Sequence, residues 1–93
     1  MGKYRYVSRI AGELELKGEQ IDQLMERITT HSVFKRDRSY YGNAEILLGF
    51  LLNSILKRND KRILDDVLSG NYNDESLRQL NGRSYSTYLL LTA

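Results

Sequence analysis

The chain has 93 residues, and we expect a single domain over residues 1–93 because chains this short rarely hold two cores. It has no cysteine and one histidine, which excludes disulfide frameworks, thiolate metal sites and cysteine nucleophiles. The net charge of +2 and the pI near 9.0 allow an anionic partner without requiring one.

The sequence also indicates where the protein resides. No apolar run reaches the roughly 18 residues of a membrane span. Arg5 and Arg9 interrupt the first apolar stretch, which is not the pattern of a signal peptide. We therefore expect a cytoplasmic protein without a membrane partner.

The N-terminal part carries two patterns that favour β-strands. Residues 4–10 are rich in β-prone side chains and form either a strand or the start of a helix. Residues 13–17 alternate with a period of two, with Leu14 and Leu16 on one side, and Gly18 ends the pattern. A short, half-exposed N-terminal strand is the prediction.

Apolar residues spaced three and four apart predict the helices, and Asn43 and Gly70 are suited to begin one helix and end another. Gly49 lies within a predicted helix and permits a close approach by a neighbouring element. Residues 84–91 fit a helix or a strand equally well. The predicted helices span residues 19–30, 44–57, 60–68 and 74–80.

These elements predict a mainly α fold, a small bundle of about four helices with a short N-terminal strand. An α+β variant results if residues 84–91 form a strand that pairs with residues 4–10. The helix over residues 44–57 is apolar on most sides, and a small monomer has difficulty covering it. We therefore expect a homodimer formed through this helix.

Catalytic patterns are weak in this sequence. His31 follows the first predicted helix, but the sequence supplies neither an orienting carboxylate nor a pocket for it. Asp65 and Asp66 are adjacent, so on a helix they point about 100° apart and do not form a metal pair. No glycine-rich phosphate loop occurs. We expect no enzymatic activity, no cofactor and no catalytic or metal-binding residue.

Basic residues form two short clusters, which is the arrangement that binds phosphates when the cations share one face. Tyr40 and Tyr41 follow the first cluster and can stack on bases or donate hydrogen bonds to the backbone of a nucleic acid. The alternative is an ordinary solvated surface balanced by aspartates. The clusters are Lys35, Arg36 and Arg38 in the loop 31–42, and Lys57, Arg58, Lys61 and Arg62 between two helices.

The order of elements over residues 12–57 resembles the ribbon-helix-helix family of dimeric DNA-binding proteins. The resemblance rests on the alternating Leu14 and Leu16, the helix 19–30, a loop, and a helix that starts after Asn43. It implies that strand residues around Leu14 and Leu16 read bases, and that Gly42 and Asn43 contact a phosphate. Glu13 and Glu15 occupy the alternating face, where carboxylates repel phosphate.

Two other routes to DNA follow from the sequence. If the strand begins earlier, Arg5 and Arg9 take the role that faces the groove. The segments 60–68, 74–80 and 84–91 also have the order of a helix-turn-helix. In that arrangement Ser84, Ser86 and Thr87 lead the recognition helix, and Arg78 and Arg83 contact phosphates.

The leading hypothesis is a small, dimeric, non-enzymatic DNA-binding protein with a regulatory or accessory role. The alternative is a protein-interaction module, an inhibitor or adaptor that binds a protein partner through apolar and tyrosine-rich surface. The residues predicted to bind nucleic acid are Arg5, Arg9, Lys35, Arg36, Arg38, Asn43, Lys57, Arg58, Lys61 and Arg62.

Overall fold

The structure, a computed structural model, describes residues 4–92, and every regular element in that range is a helix. The elements are α1 (Arg5–Glu13), α2 (Gly18–Thr29), α3 (Ser32–Arg36), α4 (Arg38–Tyr41), α5 (Ala44–Arg58), α6 (Lys61–Ser69), α7 (Asp74–Arg78) and α8 (Gly82–Leu91). The four predicted helices are confirmed as α2, α5, α6 and α7, although α7 is shorter than predicted. The predicted bundle of about four helices with a short strand is wrong, because residues 4–92 form eight helices and no strand. Residues 84–91 are helical within α8, so the α+β variant does not form.

Helix α5 lies at the centre of the fold. Helices α1 and α8 pack along it most extensively, and α2 and α6 also contact it. Seven of its fifteen residues are buried. The molecular surface of 5788 Å² is close to the roughly 5,500 Å² of a monomer of this mass. The chain's own helices therefore bury most of the apolar side chains of α5 and leave Ile46 and Phe50 exposed, so burial of this helix does not require a dimer. The dimer itself stays a prediction.

The predicted strand over residues 13–17 is wrong, because these residues end α1 and turn toward α2. The N–H of Leu16 donates to the carbonyl of Ala11, and the N–H of Glu15 donates to that of Gly12. Glu15 has a left-handed backbone with φ 61°. This is a Schellman end, in which Leu16 returns to the core one turn after α1 stops. Leu14 and Leu16 both pack on the core with the exposed Glu15 between them, and this alternation imitates the pattern of a strand.

Residues 4–10 form helix rather than strand because distant contacts support α1. The carboxylate of Glu45 on α5 accepts hydrogen bonds from the backbone N–H groups of Tyr6 (2.8 Å) and Val7 (3.0 Å). These donors have no partner within the helix, and Tyr4 at the N-cap position makes no side-chain cap. Burial of Val7 and Ala11 against α5 adds apolar stabilisation. A residue 39 positions away along the chain thus supplies the N-terminal cap.

The prediction that Gly49 permits a close approach is confirmed. A Cβ atom at Gly49 would lie 2.8 Å from Cδ2 of Tyr6 and closer still to Cε2, so the ring of Tyr6 occupies the place that a side chain would take. This contact joins α1 to the outer side of α5.

A buried polar network joins α6, α7 and α8 at the far side of the fold. Ser76 donates a 2.6 Å hydrogen bond to Asp66, and the Tyr88 hydroxyl also contacts this carboxylate, at 3.3 Å. The same hydroxyl accepts from the N–H of Asn73 at 2.9 Å. Burial raises the pKa of Tyr88. Because Tyr88 is fully buried and Ser76 nearly so, we assign this cluster to structure and not to catalysis.

Arg27 connects the ends of three helices. Its guanidinium donates to the carbonyl of Leu68 near the end of α6 and to that of Leu91 at the end of α8. These carbonyls belong to the last turns, where a cation also complements the helix dipole. Partial burial lowers the pKa of Arg27.

Candidate functional site

The predicted basic residues lie on three parts of the surface, and all of their side chains are exposed. Arg5 and Arg9 are four residues apart on α1 and share one of its faces. The first cluster lies on α3 and α4, next to the start of α5. The second lies where α5 ends and α6 begins. The length of α5, about 21 Å from Ala44 to Arg58, separates the two clusters.

Carboxylates partly balance the second cluster, which we call the α5–α6 corner (Lys57, Arg58, Lys61 and Arg62). The carboxylate of Asp60 accepts the N–H of Arg62 at 2.9 Å and caps α6. Asp65 and Asp66 follow on the same short helix. Asp60 and Asp65 therefore offset part of the charge of the four cations, whereas the carboxylate of Asp66 faces the network with Ser76 and Tyr88.

The first cluster has a rigid base. His31 caps α3, because its Nδ1 accepts the N–H of Val33 at 3.0 Å. Phe34 is 2% exposed and anchors α3 in the core. The ring of Tyr41 lies 6.2 Å from that of Phe34, and Tyr40 meets Tyr41 edge to face at 5.0 Å. The loop predicted over residues 31–42 is thus two short helices held by an aromatic cluster.

Cations surround these rings. The guanidinium of Arg38 lies 5.6 Å from the centre of the Phe34 ring, and Arg36 forms an exposed 3.7 Å ion pair with Asp37. Such an exposed pair contributes little and leaves the cation accessible. Arg83 on α8 lies near the tyrosines and stacks over Phe50 at 5.9 Å.

We call this region the α4 surface, and in it four cations stand against the carboxylate of Asp37, which lies between α3 and α4. It comprises Lys35, Arg36, Arg38, Tyr40, Tyr41 and Arg83.

Two depressions lie on either side of α4. One has a volume of about 280 Å³, and Tyr40, Tyr41, Leu47, Gly82, Arg83 and Ser86 line it. The other, of about 430 Å³, contains Arg38 and Asn43 but also the carboxylate of Glu45. A phosphate fits the first depression better, since no carboxylate lines it.

The role that the ribbon-helix-helix resemblance implies for Gly42 and Asn43 has little support in this geometry. The side-chain oxygen of Asn43 accepts the N–H groups of Glu45 and Ile46, at 2.7 and 3.2 Å. Those first-turn donors of α5 are therefore already bonded and are less available to a phosphate. A direct contact between Asn43 and nucleic acid stays a prediction, but the strand that would read bases is absent from residues 4–92.

The helix-turn-helix alternative is wrong in its recognition helix. Ser84 contacts the carbonyl of Phe50 at 3.0 Å, and Thr87 donates to the carbonyl of Leu47 at 3.1 Å. Both side chains are buried against α5. The leading edge predicted for base contact therefore faces the core, and Ser86 alone of the three is partly exposed.

The sequence analysis predicted a phosphate contact for Arg83 only in the helix-turn-helix arrangement. It did not predict that Arg83 lies beside Tyr40 and Tyr41. More than forty residues separate Arg83 from these tyrosines, so no local spacing signals the contact. Packing of α8 along α5 brings them together.

Comparisons with protein families, curated proteins and solved structures give no match. Within residues 4–92, no group of three or more histidine or acidic side chains is placed to hold a metal ion. No helix in that part of the chain is long and apolar enough to cross a membrane.

Proposed function

We propose that this protein binds nucleic acid in a regulatory or accessory role, not as an enzyme, and that the α4 surface makes the contact. One observation carries the proposal: three cations precede a tyrosine pair in α3 and α4, the outer tyrosine is exposed, and a fourth cation, Arg83, lines the cavity beside the pair. Phosphates attract such a cluster, and tyrosine rings offer stacking and hydrogen bonds that a plain charged patch lacks.

The α5–α6 corner supports this choice by contrast. It has the same number of cations, but the carboxylates of Asp60 and Asp65 offset part of the attraction for a phosphate. The two clusters therefore form a matched pair with equal basic content and different net charge.

Fluorescence anisotropy of a labelled oligonucleotide, titrated at low and at physiological salt, tests the proposal. The triple variant Lys35→Ala, Arg36→Ala, Arg38→Ala should bind more weakly at low salt. Its log–log salt slope should fall by about two, because each lost phosphate contact removes roughly 0.7–0.9 from the slope.

The control is the triple variant Lys57→Ala, Arg58→Ala, Lys61→Ala, which should keep the wild-type slope. Thermal melts must show that both variants fold, since Arg38 also packs on Phe34. An unchanged slope in the first variant, or an equal loss in the control, contradicts the proposal.

A second candidate, the protein-interaction module, has one observation in its favour. Tyr6, Ile46 and Phe50 are each 42–43% exposed on or beside the outer side of α5. Together they expose roughly 250 Å² of mostly apolar surface, which an ordinary monomer also exposes.

Co-purification with host proteins tests this candidate. The double variant Ile46→Asp, Phe50→Asp should lose a stoichiometric partner that the variant Leu89→Asp, an exposed site on α8, retains. Light scattering on the same samples tests the predicted homodimer. Absence of any stoichiometric partner of the wild-type protein removes the candidate.

A further inference from the structure

We infer that the α4 surface binds single-stranded nucleic acid and holds one unpaired base in the 280 Å³ cavity beside Tyr40, Tyr41 and Arg83. This inference rests on the proposed function and specifies its ligand.

The cavity suits one ring system. Its volume lies just below the range of about 300–1,000 Å³ that drug-sized ligands occupy. It is large enough to hold the ring of one nucleobase.

The residues that line the cavity suit a base and its phosphate. Tyr40 and Tyr41 provide aromatic walls, and Leu47 provides apolar surface. Arg83 supplies a cation, and Ser86 supplies a partly exposed hydroxyl. An aromatic wall beside a cation is how proteins hold unpaired bases, because each base presents a flat π face and carries a phosphate.

Tyr40 is the residue best placed to stack. It is 72% exposed, the highest value among the large hydrophobic side chains of residues 4–92. Its one ring partner is Tyr41, in an edge-to-face contact at 5.0 Å. Most of its surface is therefore open to a ligand, and stacking a base on it removes apolar surface from water.

Duplex DNA does not fit this surface as well. Reading a duplex requires a helix or a two-stranded ribbon in the groove. Helix α4 has four residues and is only about 6 Å long. The described residues contain no strand, and α8 turns Ser84 and Thr87 toward the core. Paired bases within a duplex also have their faces covered by neighbours, so Tyr40 has nothing on which to stack.

The first test compares oligo(dT) with a duplex of the same length, by anisotropy at low salt. The wild-type protein should bind oligo(dT) more tightly than the duplex. Tyr40→Ala should weaken oligo(dT) binding about 5- to 150-fold, the range typical for loss of one stacked base. Tyr40→Phe should retain binding, and Tyr72→Ala, which removes another exposed tyrosine, should leave it unchanged.

The second test reads the base contact directly. The protein has no tryptophan, so Tyr40→Trp carries a single indole at the cavity. Oligo(dT) should quench its emission, whereas tripolyphosphate, which carries charge but no bases, should not. Polyglutamate, an acidic polypeptide, should displace oligo(dT) poorly.

The outcomes separate the inference from the proposed function. If duplex and oligo(dT) bind equally and Tyr40→Ala binds like the wild type, the base site is overturned and nucleic-acid binding stands. If polyglutamate competes as well as oligo(dT), the surface recognises charge or an acidic protein, and the base site is also overturned. If neither nucleic acid binds at low salt, both the inference and the proposed function fail.

Discussion

The contact between Gly49 and Tyr6 predicts that Gly49→Ala lowers the free energy of unfolding when Tyr6 is present and raises it when Tyr6 is replaced by alanine. Gly49→Ala places a methyl group where the ring of Tyr6 now lies, 2.8 Å from Cδ2 and nearer to Cε2, so the ring must leave. Tyr6 is 43% exposed, and displacement uncovers about 100 Å² of a ring that has roughly 200 Å² in total. At about 25 cal/mol per Å², the upper limit of the loss is 2–3 kcal/mol.

Alanine also favours the helix over glycine by about 1 kcal/mol. The free energy of unfolding should therefore fall in Gly49→Ala, by at most roughly 1–2 kcal/mol. In a Tyr6→Ala background the obstruction is absent, and the same substitution should raise it by about 1 kcal/mol. The coupling between the two sites is then at most about 2–3 kcal/mol, the upper part of the range found for residues in contact.

Urea unfolding followed by far-ultraviolet circular dichroism measures the wild type, Gly49→Ala, Tyr6→Ala and the double variant. The four free energies can be compared when their dependence on urea concentration has the same slope. Gly12→Ala serves as the control. Gly12 lies in α1, and a Cβ atom added there would meet nothing within 4 Å, so this variant should gain about 1 kcal/mol. If Gly49→Ala is as stabilising as Gly12→Ala in the wild-type background, the reasoning about Tyr6 is refuted.

Three further predictions concern the ends of helices and the buried network. Glu15→Gly should stabilise the fold by about 0.5–1 kcal/mol, because glycine relieves the left-handed backbone there, whereas Glu13→Gly inside α1 should destabilise it. Tyr88→Phe should cost about 1–3 kcal/mol in urea unfolding, since the N–H of Asn73 loses its acceptor. Burial raises the pKa of Tyr88, so the stabilising contribution of its hydroxyl is present below about pH 10 and declines above it. The difference in the free energy of unfolding between the wild type and Tyr88→Phe should therefore become smaller in alkaline buffer. Arg27→Met should lower the melting temperature by several degrees, through two helix-end carbonyls left without a donor, and an unchanged value contradicts that role.

The helices that the sequence predicted have strong local signals. The helix over residues 44–57 has apolar residues in each of its turns and a suitable N-cap in Asn43, and its sequence lacks the alternation typical of a strand. The helices that pack on this central helix could not be predicted in the same way. Packing of α1 and α8 on α5 depends on contacts between segments that are distant in the chain, and composition alone suggested a partner subunit instead.

The failure at residues 13–17 has a specific physical cause. Glycine or asparagine is the usual sign that a helix ends with a left-handed residue, and Gly70 and Asn59 follow this rule. Glu15 adopts the same conformation without that sign. The alternating leucines on either side of it then imitate a strand, and the strand prediction supported the ribbon-helix-helix resemblance.

The candidate site was predictable in part. The cations at Lys35, Arg36 and Arg38, and the tyrosines next to them, are neighbours in the sequence, so their grouping was visible there. The 280 Å³ cavity was not visible, because it needs Arg83 and Ser86 from a helix at the other end of the chain. The carboxylates that weaken the α5–α6 corner were visible, but only the structure separates the two clusters by the length of α5.

Net charge is a poor guide to the electrostatics of this molecule. Its modest value of +2 conceals an uneven distribution, because five of its twelve acidic residues lie within residues 13–26 and all five are exposed. The acidic stretch along the end of α1 and on α2 offsets cations elsewhere in the total, but its effect on a cation at physiological salt falls off beyond a Debye length of about 8 Å. An approaching polyanion therefore responds to the local excess at the α4 surface. For this reason a chain with a nearly neutral total can still bind nucleic acid with a measurable salt slope, and the triple substitution on α3 and α4 should remove most of it.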